Sequence, residues 1–133
     1  SIGMGLAIQD VEAIKLLVKS LLDRNVRVSL DASSLVKEIL PIIEDQNVVV
    51  TPHSGEFKRL FGESVGNDST SRLATCEKFA KKHSLTVLLK GQEDIITNGE
   101  ISYTNSTNCP CMTVGGTGDV LSGLVAGFLS RKN

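Results

Sequence analysis

From Gln9 to Arg24 the apolar residues Val11, Ile14, Leu17, Val18, Leu21 and Leu22 return at helical spacing, with Asp10 in the capping position. The period then changes. Val26 to Leu30 reads as a strand that Asp31 stops, and Ser33 or Ser34 caps a helix with Leu35, Val36, Ile39 and Leu40 on one side, ending before Pro41. Asn47 to Thr51 is a near-continuous β-branched run, the pattern of a strand buried on both faces. Ser54 to Phe61 predicts a short helix, Ser69 to His83 a longer one, and Leu85 to Leu89 another buried strand that ends at Lys90-Gly91. Strands Asp94 to Thr97 and Glu100 to Tyr103, joined by Asn98-Gly99, read as a hairpin on the edge of the sheet. After the polar stretch Asn105 to Val114 comes an apolar helix, Thr117 to Leu129, in which Gly123 and Gly127 allow close packing.

This βα alternation predicts an α/β fold, a mostly parallel sheet with helices on both faces, in a single domain with no internal repeat or linker. Ligands of such sheets gather at the C-terminal ends of the strands. Asp31 follows the first strand, Thr51-Pro52-His53-Ser54-Gly55-Glu56 the second, and Lys90-Gly91-Gln92-Glu93-Asp94 the third. Together with the glycine-rich turn before the last helix, four polar segments converge on one expected cleft.

That turn, Thr113-Val114-Gly115-Gly116-Thr117-Gly118-Asp119, carries the most chemistry. Its glycines leave little side-chain bulk, so backbone N–H groups can approach an anion, and the helix beyond aims its positive dipole end at the same place. Asp119 adds a carboxylate, which a phosphate repels unless it meets a metal or takes a proton from a nucleophile. Phosphoryl transfer is the expected chemistry. Lys90, at a strand end and followed by glycine, is well placed for a phosphate. His53 is either a helix cap or a ligand contact, and its Thr-Pro and Gly-Glu neighbours favour contact; Glu56, three residues on, reads as the far half of a capping box. His83, near a helix end, reads as structural.

Composition narrows the ligand class. The 133 residues are 41% hydrophobic and 22% charged, with 14 Lys and Arg against 15 Asp and Glu, a net charge of -1. No global field recruits nucleic acid or an anionic membrane, so any anion site is local. No apolar run is long enough to cross a bilayer, and a cytoplasmic location is expected. Three cysteines argue for reduced thiols. Cys109-Pro110-Cys111 with Cys76 or His83 lacks a complete ligand set for a metal and reads as small buried hydrophobes instead.

Val49-Val50-Thr51-Pro52-His53-Ser54-Gly55-Glu56-Phe57-Lys58-Arg59-Leu60 resembles the TPHPGEF-type segment of the ADP- or ATP-dependent NAD(P)H-hydrate dehydratases, members of the ribokinase-like superfamily. Pro110 to Gly123 is similar to their GGTGDVLSG-type signature, Leu88-Leu89-Lys90-Gly91 to their nucleotide-side strand end, Ser29-Leu30-Asp31-Ala32 to their DAD-type strand end, and Gly3-Met4-Gly5-Leu6 to a degraded GPGLG. The resemblance implies a ribokinase-like fold and repair of NAD(P)H hydrated on its nicotinamide ring (NAD(P)HX). A nucleotide, ADP or ATP with Mg2+, phosphorylates the ring hydroxyl, and the phosphate then eliminates. By position, Gly5, His53 and Asp119 touch the hydrate, with Asp119 catalytic, and Lys90, Gly91, Gln92, Glu93, Asp94, Gly116, Thr117 and Gly118 hold the nucleotide. No protein metal ligand is assigned.

Three departures stand out: Cys111 in place of a small residue, Val114 in place of a threonine whose hydroxyl lies near the phosphates, and Met4 in place of proline. Domains of this kind run to about twice this length, so the chain is expected to be part of one. Two other readings remain open: a small-molecule kinase of the same superfamily, which would release a stable phosphorylated alcohol, and a non-catalytic nucleotide-binding module. An exposed sheet edge would favour homo-oligomers.

Overall fold

The β-branched runs pair into one sheet. A computed structural model describes residues 1–6, 11–107 and 114–131. Asp10, Cys109, Pro110 and Cys111 lie outside the described residues. The elements in order are α1 (Val11–Leu22), β1 (Val28–Leu30), 3-10 turns at Ala32–Ser34 and Lys37–Ile39, α2 (Leu40–Ile43), β2 (Val48–Val50), α3 (Ser54–Phe61), α4 (Ser69–His83), β3 (Thr86–Leu89), β4 (Asp94–Thr97), β5 (Ser102–Asn105) and α5 (Thr117–Leu129). The five strands lie in sequence order. β1, β2 and β3 are parallel, and β4 and β5 add an antiparallel hairpin at one edge. At the other edge Ile2 bridges Leu30 in parallel.

The strand period separates two faces. Val28, Leu30, Val48, Val50, Val87, Leu89 and Ile95 point one way and join the core with Ile14 and Val18 of α1, Ile43 of α2, and Phe57 and Leu60 of α3. Phe57, Phe61 and Phe79 form its aromatic centre, with ring centroids 4.6, 5.6 and 5.0 Å apart. Cys76 is buried beside them on α4, and burial pushes its thiol up to about 12. The opposite face presents Ser29, Val49, Leu88 and Ile96, and α5 packs over its β1 end. No described helix is long and apolar enough to cross a membrane.

Three expectations are corrected. No helix starts at Ser33 or Ser34. Asp31 caps the first 3-10 turn by accepting from the Ala32 N–H, a second turn follows, and Pro41 sits in the first turn of α2 rather than after it. Proline is pre-set for that position because the missing N–H has no helical acceptor there. The hairpin is joined not by two residues but by Asn98 to Ile101, pairing Thr97 with Ser102. Asn98 Oδ1 accepts from the N–H groups of Glu100 and Ile101, at 3.0 and 2.8 Å, which closes the longer turn. Gly99 adopts φ 88° there, and a methyl group on it would meet the Lys81 backbone at 2.5 Å. Finally, among the described residues Gly123 and Gly127 make no close packing contact: a methyl group on either would meet none of their atoms within 4 Å beyond the helix itself.

Truncating Phe57, which has 0% exposure, is expected to cost about 3–5 kcal/mol in urea unfolding, whereas Leu16→Ala on the exposed face of α1 stays within about 0.5 kcal/mol. The Cys76 thiol is expected to resist a thiol reagent at pH 8 until denaturant is added, because the thiolate is the reactive form.

Candidate functional site

At the C-terminal ends of the parallel strands, Lys90 is the point where three segments meet. It follows β3 and donates from Nζ to Asp31 Oδ1 at 2.8 Å, and it lies 3.6 Å from Glu56 Oε2. The Asp31 side chain is 3% exposed and that of Glu56 11%. Two nearly buried carboxylates need a cation or hydrogen-bond donors. Asp31 also accepts from the Ala32 N–H at 2.8 Å, and Ala32 takes φ 49°, a left-handed conformation uncommon for a residue with a Cβ. Arg59 of α3 holds this exit loop from the other side, donating to the carbonyls of Leu35, at 2.7 Å, and of Ala32.

His53 starts α3. Its Nδ1 accepts from the N–H groups of Gly55 and Glu56 at 3.0 and 3.2 Å, while Glu56 Oε2 accepts from the His53 N–H at 2.8 Å, a reciprocal capping box. The rest of the ring is exposed, so the cap does not prevent ligand contact. The capping role read for Glu56 from sequence is present, but the same carboxylate also reaches Lys90, which sequence reasoning left out. Pro52 and Lys90 are joined through their backbones, and His53 bridges Lys90 in parallel, so the sheet continues into the site.

Gly3 brings the N-terminal segment against Asp31. Its φ is 133°, and a methyl group on it would lie 1.7 Å from the Asp31 carbonyl oxygen, so the close approach requires glycine. Ile2 accepts from the Asp31 N–H, and Ser33 donates to the Gly3 carbonyl. Gly5, the position singled out from sequence, is exposed at φ 72°, and a methyl group on it would meet no described atom within 4 Å. Beyond β3, the Gly91 N–H donates to Asp94 Oδ1 at 3.0 Å and folds the Lys90–Asp94 turn on itself.

The glycine turn before α5 forms a separate part of the surface. Gly116 occupies the N-cap at φ 93°, and among the described residues no side chain caps the helix; the Thr117 N–H turns back to the Val114 carbonyl at 3.5 Å, while the Gly118 and Asp119 N–H groups find no acceptor among the described residues. Thr117 turns its hydroxyl back to the Val114 carbonyl at 3.0 Å, which keeps it from serving as a cap. Asp119 is exposed. Among the described residues no hydrogen bond or ion pair joins Asp119 to the Lys90 cluster. The helix is tied to the sheet instead through Ser122, buried and bonded to Ser1 beside the Ile2 bridge, and through Arg27 of the β1 approach, which donates to the carbonyls of Leu129 and Arg131. His83, read as structural, bonds Glu44 at 2.5 Å and stacks on Phe79 away from this surface.

Comparisons with known proteins agree on one family. A family model described as NAD(P)H-hydrate dehydratase matches residues 1–133. The chain is 60% identical to the ADP-dependent (S)-NAD(P)H-hydrate dehydratase of Nitrosopumilus maritimus (strain SCM1) over 99% of its own length and 46% of that protein. Among solved structures it is similar to the ADP/ATP-dependent NAD(P)H-hydrate dehydratase from Bacillus subtilis co-crystallised with ATP/Mg2+, with TM-score 0.81 and 30% identity over 96% of this chain and 46% of that one. It is also similar to a ribokinase-like superfamily protein from Enterococcus faecalis V583, with TM-score 0.71 and 27% identity over 96% and 45% of the two chains. The chain therefore spans less than half the length of these relatives, and its fold is ribokinase-like.

Removing the His53 ring is expected to expose the cap. His53→Ala should destabilise the protein by about 1 kcal/mol in thermal or urea unfolding, and His53→Asn, a preferred N-cap, should restore most of it.

Proposed function

The chain belongs to the NAD(P)H-hydrate dehydratase family, and on that premise we propose that it takes part in nucleotide-dependent dehydration of hydrated NAD(P)H. The observation that carries this reading is the Lys90 cluster: one ammonium group draws the TPHSGE segment, the strand end at Asp31 and the Lys90–Asp94 turn into a single polar site. The glycine turn, a separate part of the surface, supplies the other half of the chemistry, a helix start with a carboxylate in its first turn.

In the proposed reaction, Asp119 takes the proton from the hydroxyl on the nicotinamide ring. That oxygen attacks the terminal phosphorus of the nucleotide, and the bond from phosphorus to the bridging oxygen breaks. Gly116, Thr117 and Gly118 offer backbone N–H groups, and the helix dipole favours the charge that develops there. The C–O bond of the resulting phosphate ester then breaks, phosphate leaving with the electron pair while the neighbouring ring carbon gives up a proton, which restores the double bond. The products are NAD(P)H, phosphate and AMP from ADP, or ADP from ATP. His53 and Gly5 are assigned to the hydrate, and Lys90, Gly91, Gln92, Glu93 and Asp94 to the nucleotide. The Nitrosopumilus relative is named ADP-dependent, which favours ADP as donor.

A divalent cation would accompany the nucleotide. Among the described residues no group of three or more His, Cys, Asp or Glu side chains could hold a metal ion, and Asp31 Oδ1 and Glu56 Oε2 are already engaged by the Lys90 ammonium, so the ion would be held chiefly by the nucleotide phosphates. Such an ion would neutralise charge on the phosphoryl group in flight.

One observation favours a second reading, binding without turnover: among the described residues no hydrogen bond or ion pair joins Asp119 to the Lys90 cluster. Regeneration of NADPH absorbance from hydrated NADPH, with ADP or ATP and Mg2+, separates the readings. Regeneration that needs nucleotide and falls about a hundredfold or more in Asp119→Asn supports dehydration. A stable phosphorylated product would make the chain a kinase, and ADP binding with no phosphate release would make it a binding module.

A further inference from the structure

The Lys90–Asp94 turn contains a second cation, one that sequence reasoning passed over. Arg72 lies on α4, and its guanidinium sits directly behind Gly91: a methyl group on Gly91 would fall 2.6 Å from Arg72 Nη2 and 3.4 Å from the Glu93 carbonyl oxygen. The absence of a side chain at Gly91 is therefore what admits the guanidinium under the turn. Arg72 Nη1 donates to the Ser54 hydroxyl at 3.2 Å, in the first turn of α3 and next to His53. One planar group thus spans the two segments assigned to hydrate and nucleotide.

Lys90 is engaged by Asp31 and Glu56, whereas among the described residues Arg72 forms no ion pair and its one hydrogen-bond partner is a neutral hydroxyl. Nη2 is buried with no partner, and Glu93 Oε2, on the same turn, is also buried with no partner. A buried guanidinium N–H without an acceptor is costly and calls for an explanation. A fixed positive charge a short way behind a glycine turn attracts a polyanion docked on its outer side, with little solvent between them to screen it.

We propose that Arg72 is a positioning residue for the nucleotide: held between Ser54 and Gly91 and in no ion pair among the described residues, it supplies a positive charge behind the Lys90–Asp94 turn that helps the turn bind a nucleoside diphosphate. This rests on the reading of that turn as the nucleotide site. Arg72 acts through the turn and through its field, so the effect scales with the charge of the ligand and not with its base or ribose.

The test is calorimetric titration of the protein with ADP and with AMP, for the wild type, Arg72→Gln and Arg72→Lys, alongside the melting temperature of each. Arg72→Gln is expected to weaken ADP binding about tenfold, the scale of one charge-assisted interaction, and AMP binding much less. Arg72→Lys, which keeps the charge but loses the fork, should recover most of the ADP affinity. An equal loss for ADP and AMP, or an unchanged ADP affinity with a lowered melting temperature, overturns the proposal and leaves Arg72 a packing residue. If wild-type protein binds no ADP, the reading of the turn itself fails, and the proposal falls with it for that separate reason.

Discussion

The contact between Lys90 and Asp31 is the one on which the site depends. A carboxylate that is 3% exposed needs a cation or hydrogen-bond donors to offset its burial, and the ammonium that meets it lies 59 positions away, across two parallel strand pairings. The pair therefore requires the β1–β2–β3 register, and it holds the strand ends in place in turn. Glu56 extends it to α3, so the helix start that presents His53 is oriented by the same ammonium group. Breaking such a pair by removing one member costs about 3–5 kcal/mol, because the other charge is left behind.

The two faces of the sheet are finished to different degrees. The face under α1, α2, α3 and α4 is a closed core built around three phenylalanines. The other carries α5 over β1, while Ile96 and Tyr103 remain exposed and the outer row of α5 is bare. The chain spans less than half the length of its relatives, and the unfinished face holds the helix whose first turn contains Asp119. By contrast, the Lys90 cluster is assembled entirely from described elements and rests on the closed core.

Sequence reasoning reached the elements whose signals are local. The bounds Ser54 to Phe61, Ser69 to His83, Asp94 to Thr97 and Thr117 to Leu129 coincide with α3, α4, β4 and α5, because caps, periodicity and glycine turns act within a few residues. It failed where one residue serves two masters. Asp31 is at once strand stop, 3-10 cap and ion-pair partner, which moves the helix start away from Ser33 and Ser34. Asn98 stabilises a longer turn through its side chain, and the packing of Gly99 on Lys81 selects that turn over the shorter one. Glu56 is legible as a cap and not as a neighbour of Lys90, and no local pattern marks Arg72, whose place behind Gly91 comes from the packing of α4 on the turn. Their partners are set by tertiary contact, on which a local pattern is silent.

The most direct test is a double-mutant cycle on Asp31→Asn and Lys90→Met, followed by urea unfolding. If this pair organises the site, the double variant loses less than the sum of the two single losses, with a coupling of about 1–3 kcal/mol. Losses that add to within about 0.5 kcal/mol would mean that the two groups are independent, and the ammonium could not then be the group that draws the strand ends together.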